Sequence, residues 1–254
     1  MKYTAVVLAG SRPGVDPFAR DHGTDLKPLI PIAGEAMVRR PVRALLQSSS
    51  IARVIILTQQ PKRIAAALQD HAAIAVRQSA ATIAATMLAL IAEPALEWPL
   101  LVTTADHALL DAAMVDEFCS AAADVELAIG VVERDALTRR LPGTRRTWLK
   151  FRGGAYTGAN LFALRSRAVA PAIEMWRAVE QDRKRGWRLL ALLGPSVLVG
   201  AALRLLTIDD VLDRVGRRLR LTMKAVRLSS PLAGVDVDKP ADHALIEAIV
   251  AGRA

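Results

Sequence analysis

The apolar positions of this chain fall into short runs through its first half. Ala5 to Leu8, Val54 to Leu57, Ile74 to Val76 and Leu100 to Thr103 are nearly continuous runs, and each ends at polar or turn-forming residues. Runs of this length predict buried strands at 5–8, 54–57, 74–76 and 100–103. Between and after them, apolar residues recur at helical spacing, which predicts helices over 37–47, 62–69, 80–91 and 112–122. Strands alternating with helices predict an α/β fold, a mostly parallel sheet covered on both faces. A further strand is expected at 125–132. Ligands of such sheets sit at the carboxyl edge of the strands, so the loops after Leu8 and after Thr103 belong on one rim.

The second half is less regular. Residues 134–152 are basic and turn-rich, with Arg139-Arg140 and Arg145-Arg146 around Pro142-Gly143. They read either as a solvated hairpin or as a lid that gathers an anion, since the guanidinium fork suits phosphate. An amphipathic helix follows at 168–181, then an apolar run at 189–203 interrupted by Gly194-Pro195. That run is too short to span a bilayer, which takes about 20 residues. It reads as a buried helical hairpin, or as a peripheral membrane contact through 187–206 flanked by Arg183, Lys184, Arg185, Arg217 and Arg218. Thr207-Ile208-Asp209-Asp210 predicts a helix start with capping acids, and a strand is expected at 224–228.

Composition narrows the partners. A formal net charge of +9 calls for anions: nucleotide, phosphorylated metabolite, nucleic acid or anionic lipid. The basic residues are spread along the chain and aromatics make up 4%, which argues against a nucleic-acid surface. The lone Cys119 excludes an intramolecular disulfide and a Cys-rich zinc site. It lies in an apolar helical pattern and reads as a buried thiol. Met1-Lys2 runs straight into a strand without a signal peptide, which fits the cytoplasm.

The candidate chemistry sits in the loops. The first strand breaks at Ala9-Gly10-Ser11-Arg12-Pro13-Gly14, where backbone N–H groups and a guanidinium suit phosphate. Asp106 directly follows the fourth strand, as either a metal-facing carboxylate or a turn residue. Ser79 and Thr82 are candidate helix caps. Gly158-Ala159-Asn160 reads as a turn before an apolar strand. In Gly234-Val235-Asp236-Val237-Asp238-Lys239-Pro240-Ala241-Asp242, alternation puts Asp236 and Asp238 on one side. Asp242 falls in a helix first turn, where the dipole favours a carboxylate.

LAGSRPG at 8–14, followed by KPLIPIAGEAMVRRPV at 27–42, resembles the signature of the nucleotidyltransferases, closest to the branch of molybdenum cofactor guanylyl- and cytidylyltransferases. The sequence departs from that pattern at Ser11, where a second glycine is usual, and in the acidic insert at 16–25. Ala-Asp-His-Ala-Leu-Leu at 105–110 matches the family's metal-binding aspartate, and the Asp238 segment matches its closing motif. The resemblance implies a three-layer Rossmann-like α/β fold of the nucleotide-diphospho-sugar transferase type, a single domain over 1–254 with a helical insertion at about 165–219. It further implies Mg²⁺-dependent transfer of a nucleoside monophosphate from a triphosphate to a phosphorylated small-molecule acceptor, releasing pyrophosphate. Carried over residue by residue, Leu8, Ala9, Gly10, Ser11, Arg12, Lys27 and Ser79 would bind nucleotide. Arg12, Lys27 and Asp106 would act in catalysis, Asp106 and Asp238 would hold the metal, and Gly158 and Asn160 would face the acceptor. Two alternatives remain at this point, a sugar-nucleotide glycosyltransferase and a non-catalytic nucleotide- or membrane-binding module. The base and the acceptor stay open.

Overall fold

The protein is described by a computed structural model over residues 1–10, 14, 16–68, 71–181, 199–200 and 203–253. Its centre is β1 (Tyr3–Leu8), flanked by β4 (Ile51–Thr58) and β6 (Leu100–Thr104), both parallel to it. The sheet runs β10-β7-β9-β6-β1-β4-β5, with β5 (Ile74–Gln78), β7 (Leu127–Glu133), β9 (Gly154–Leu164) and β10 (Met223–Arg227), while β8 (Leu149–Phe151) pairs with β9. Strand β9 is antiparallel to both β6 and β7. The other pairings along that path are parallel. A two-stranded hairpin, β2 (Pro31–Ile32) and β3 (Glu35–Ala36), stands outside this sheet.

Period-two alternation on the central strands feeds two apolar layers. Ala5, Val7, Val54, Ile56 and Leu101 pack on one side. There α2 (Arg39–Gln47) and α5 (Ala112–Ala121) cover them. Val6, Ile55, Leu57, Leu100 and Val102 pack on the other, against α4 (Ile83–Ala92) and α7 (Ala170–Gln181). A third apolar cluster lies under α8 (Ile208–Leu219), where Ile208 and Leu212 meet Val131, Tyr156 and Ala225. Shorter helices are α1 (Pro17–Asp21), α3 (Pro61–Ala67) and α6 (Arg134–Arg140), and α9 (Pro240–Val250) closes the chain.

Three expectations change. The helix expected from residue 80 starts at Ile83, because Thr82 rather than Ser79 is its cap and accepts from the Ala85 N–H at 3.2 Å. The basic segment expected as a solvated hairpin or a lid begins with α6, held by the fully buried Leu137, and only its end, β8, forms a hairpin with β9. Gly158 and Asn160 do not form a turn but lie inside β9. The register shifts opposite them, between Ile129 and Val131, and Asn160 takes a left-handed φ of 48°, so the turn-forming residues absorb a bulge. Most of the apolar run at 187–206 lies outside the described residues. Of those described there, Val199, Leu203 and Leu205 are exposed. No helix among the described residues is long and apolar enough to cross a membrane.

Candidate functional site

Strands β1 and β6 run side by side, and Ala105 N–H donates to Leu8 carbonyl at 3.0 Å, so the loop carrying Asp106 leaves the sheet next to the end of β1. Thr104 hydroxyl donates to Asp106 Oδ1 at 2.5 Å and fixes the carboxylate's orientation. Lys27 arrives from the other side on a single 3₁₀ turn, Lys27–Leu29. That turn is set by burial of Pro28 and Ile30 and by backbone bonds from Val38 and Met37. Asp238 comes from the extended segment before α9, where Val237 N–H donates to Asp106 carbonyl at 3.1 Å. Three stretches far apart in sequence thereby meet.

The meeting point is one ammonium. Lys27 Nζ donates to Asp106 Oδ2 at 2.6 Å and to Asp238 Oδ1 at 2.9 Å. Burial works against the charge on Lys27, but Asp106 and Asp238 outweigh it and hold the pKa above the ordinary lysine value. Lys27 is therefore a fixed cation at neutral pH. Helix α9 braces the β2–β3 hairpin that follows Lys27. Its Glu247 accepts from Ala33 N–H at 2.6 Å in the β2–β3 turn, and its His243 Nε2 lies 2.8 Å from Pro31 carbonyl.

A second charged group abuts the first. Arg146, between α6 and β8, pairs with the Asp236 carboxylate and reaches Asp242 Oδ1 at 3.1 Å. Asn160 amide donates to the other oxygen of Asp236 at 3.1 Å. Burial and the nearby Asp238 and Asp106 push the Asp236 pKa up, against the pull of Arg146 and Asn160. Asp236 and Asp238, expected on one side, thus take different partners.

The expected site residues divide accordingly. Lys27, Asp106 and Asp238 converge, and Asn160 joins them through Asp236. Leu8 and Ala9 end β1 and continue its pairing, Ala9 N–H donating to Leu57 carbonyl at 2.9 Å. Gly10 lies close under Gln59, whose side chain is 3.0 Å from where a Cβ would stand. Ser11 and Arg12 lie outside the described residues. Ser79 directly follows the edge strand β5, its N–H bonded to Thr58 carbonyl at 2.8 Å and its buried hydroxyl without a hydrogen-bond partner. Nothing joins Ser79 to the Lys27 cluster among the described contacts. Gly158 has open space above it. Sequence reasoning named Arg146 only as one of the arginines of a basic segment read as a hairpin or an anion-gathering lid; the structure instead turns it inward onto Asp236 and Asp242.

Asp106 and Asp238 offer hard oxygen donors to one small volume, a set of the kind Mg²⁺ takes when phosphate and water supply its other ligands. No group of three or more His, Cys, Asp or Glu gathers as an all-protein metal cage among the described residues.

Residues 5–197 match the family model of the MobA-like NTP transferase domain. The chain belongs to that family. This MobA-like protein is accordingly a nucleotidyltransferase, and its Rossmann-like mixed sheet is the fold of its structural neighbours. A hypothetical transferase from Thermus thermophilus is 29% identical with a TM-score of 0.78, over 96% of this chain and 100% of that one. The 4-diphosphocytidyl-2C-methyl-D-erythritol synthase of Anaerococcus prevotii is 10% identical with a TM-score of 0.62, over 98% and 99% of the two chains. A CMP:2-keto-3-deoxy-manno-octonic acid synthetase complexed with CTP is 15% identical with a TM-score of 0.61, over 99% and 100%. At such identities the last two show the fold alone. The comparison with curated proteins gives no match.

Proposed function

We propose that this nucleotidyltransferase joins the nucleoside monophosphate of an NTP to a phosphorylated small molecule and releases pyrophosphate, with Mg²⁺ as its cofactor. The supporting observation is the convergence of Lys27, Asp106 and Asp238 at the carboxyl edge of β1 and β6. An acceptor phosphate oxygen attacks the α-phosphorus; the bond from that phosphorus to the bridging oxygen breaks, and pyrophosphate leaves with its electrons. An ionised acceptor phosphate needs no general base, so the protein's task is alignment and charge neutralisation. Lys27 supplies a permanent positive charge beside the phosphates, and Arg12 is the second cation assigned to them. Asp106 and Asp238 would hold Mg²⁺, Asp106 in an orientation already set by Thr104. When bound, the ion screens the phosphoryl oxygens and helps orient the reacting groups. Asn160, on the far side of Asp236, lines the approach assigned to the acceptor.

The test is pyrophosphate release with each NTP, CTP first because one neighbour was solved with it, across a panel of sugar, alditol and cofactor phosphates. Asp106→Asn should lose turnover on the order of 10²-fold or more while its thermal midpoint stays near that of the wild type. Retained turnover in that variant, or consumption of a sugar nucleotide with no pyrophosphate formed from any NTP, would overturn the proposal.

A further inference from the structure

We propose that Arg146 is the positioning residue that sets Asp238 opposite Asp106, acting through Asp236 and Asp242. This rests on the function proposed above and adds a residue that no resemblance assigned.

The argument begins with what fixes residues 236–238, an extended segment whose placement determines where the Asp238 carboxylate points. Each of its three residues is tied once or more. Arg146 binds the Asp236 carboxylate and donates to the Asp236 carbonyl at 3.3 Å. Val237 N–H donates to Asp106 carbonyl at 3.1 Å. Asp238 N–H donates to Asp242 Oδ2 at 3.3 Å, and the other oxygen of Asp242 receives Arg146 Nη2 at 3.1 Å. Arg146 thus holds Asp236 directly and the Asp238 backbone through one carboxylate.

Burial makes these ties matter. The side chains of Arg146 and Asp242 are 7% and 8% exposed. Without the guanidinium, two carboxylates would stand in a poorly hydrated space beside Asp106 and Asp238 with no cation of their own. Asp236 would then compete with Asp106 and Asp238 for Lys27. The guanidinium fork spans two acceptors at once, which a lysine ammonium on a flexible stem does not reproduce. The hydrogen bonds of Arg146 go to Asp236 and Asp242 and not to the Lys27, Asp106 or Asp238 side chains, so its effect on the cluster passes through the geometry of Asp238.

The experiment compares wild type with Arg146→Lys, with Asp242→Asn as a second variant in case the first folds poorly. Hydrogen exchange at the Val237 and Asp238 amides is read without metal or substrate. Equilibrium Mn²⁺ binding, kcat, KM for the NTP at saturating Mg²⁺ and the thermal midpoint follow. Exchange at those two amides should rise on the order of tenfold, and Mn²⁺ affinity should fall by a similar factor with a reduced kcat. KM at saturating Mg²⁺ should change less than kcat, because Arg146→Lys keeps a cation beside Asp236 and leaves Lys27 with Asp106 and Asp238. Wild-type exchange at 237–238 and wild-type Mn²⁺ affinity in both variants would overturn this inference alone. A change in thermal midpoint with those two readouts unmoved would overturn it equally. A wild-type protein that turns over no NTP with Mg²⁺ would overturn the proposed function and this inference with it.

Discussion

His107 follows Asp106 directly, yet its ring is 1% exposed and faces the interior. Its Nδ1 lies 3.5 Å from Thr103 hydroxyl, and Nε2 has no hydrogen-bond partner. Burial drives the pKa down to about 4, against the pull of Asp106, the Ala233 backbone and Asp111. The neutral ring is therefore part of the folded state, while the unfolded chain takes up a proton near the ordinary value of about 6.5. The stability due to the neutral ring is full above that value and falls away as pH drops toward 4. The shift corresponds to roughly 3 kcal/mol. Urea unfolding at pH 7 and pH 4.5 should show a much larger loss for wild type than for His107→Gln, whose amide does not titrate; parallel losses would refute the assignment. Sequence legibility at this scale followed motif resemblance. Asp106 and Asp238 were singled out by segments that resemble the nucleotidyltransferase motifs, and the structure brings both to Lys27. The burial of His107 was not readable, because a histidine after a strand looks the same whether it turns in or out. Arg146 was hidden for a related reason: four arginines stand close together in one segment, and only packing selects the one that turns inward.

Among the elements, α8 shows what the sequence encodes locally. Thr207 hydroxyl accepts from Asp210 N–H at 3.0 Å, and Asp210 accepts from Thr207 N–H at 2.8 Å, the reciprocal cap that Thr-Ile-Asp-Asp predicts. Thr207→Ala should cost about 1 kcal/mol, which in a chain this long lowers the thermal midpoint by about 2–4 °C. Gly216 makes the contrasting case. By helix propensity alone Gly216→Ala should gain about 1 kcal/mol. An added Cβ, however, would stand 2.5 Å from Leu221 carbonyl, where the chain doubles back through the left-handed Arg220. Scanning calorimetry should therefore find both substitutions destabilising, and a stabilised Gly216→Ala would mean that the approach of 221 to the helix is looser than the structure has it. The missed elements share a physical cause. Helix α6 is seven residues anchored by one buried leucine, too little to set a periodicity. Strand β9 carries Gly158 and Asn160 at its bulge, and such residues read locally as a turn until β7 is known to pair across them.

At the scale of the whole molecule, the charge distribution runs against the net charge. A chain of +9 places four carboxylates, Asp106, Asp236, Asp238 and Asp242, around two cations, Lys27 and Arg146, among the described residues of the site. That local excess of negative charge repels a triphosphate at short range, even though the surrounding surface attracts one. Under the proposed function, divalent cation and triphosphate must then help each other bind. Their coupling is reciprocal by linkage, and couplings of this kind are typically about 1–3 kcal/mol, or 5- to 150-fold. Calorimetric titration at constant ionic strength is the appropriate measurement, because added MgCl₂ would otherwise screen the exposed charges. The Kd of the preferred NTP should fall on adding Mg²⁺, and the Kd of Mg²⁺ should fall by the same factor on adding that NTP. Asp238→Asn removes one negative charge and one donor, so it should tighten the NTP in the absence of metal and shrink the coupling. An NTP affinity independent of Mg²⁺ in wild type, or a coupling unchanged in Asp238→Asn, would mean that the two carboxylates are held by Lys27 for structure and that phosphate is neutralised elsewhere on the rim.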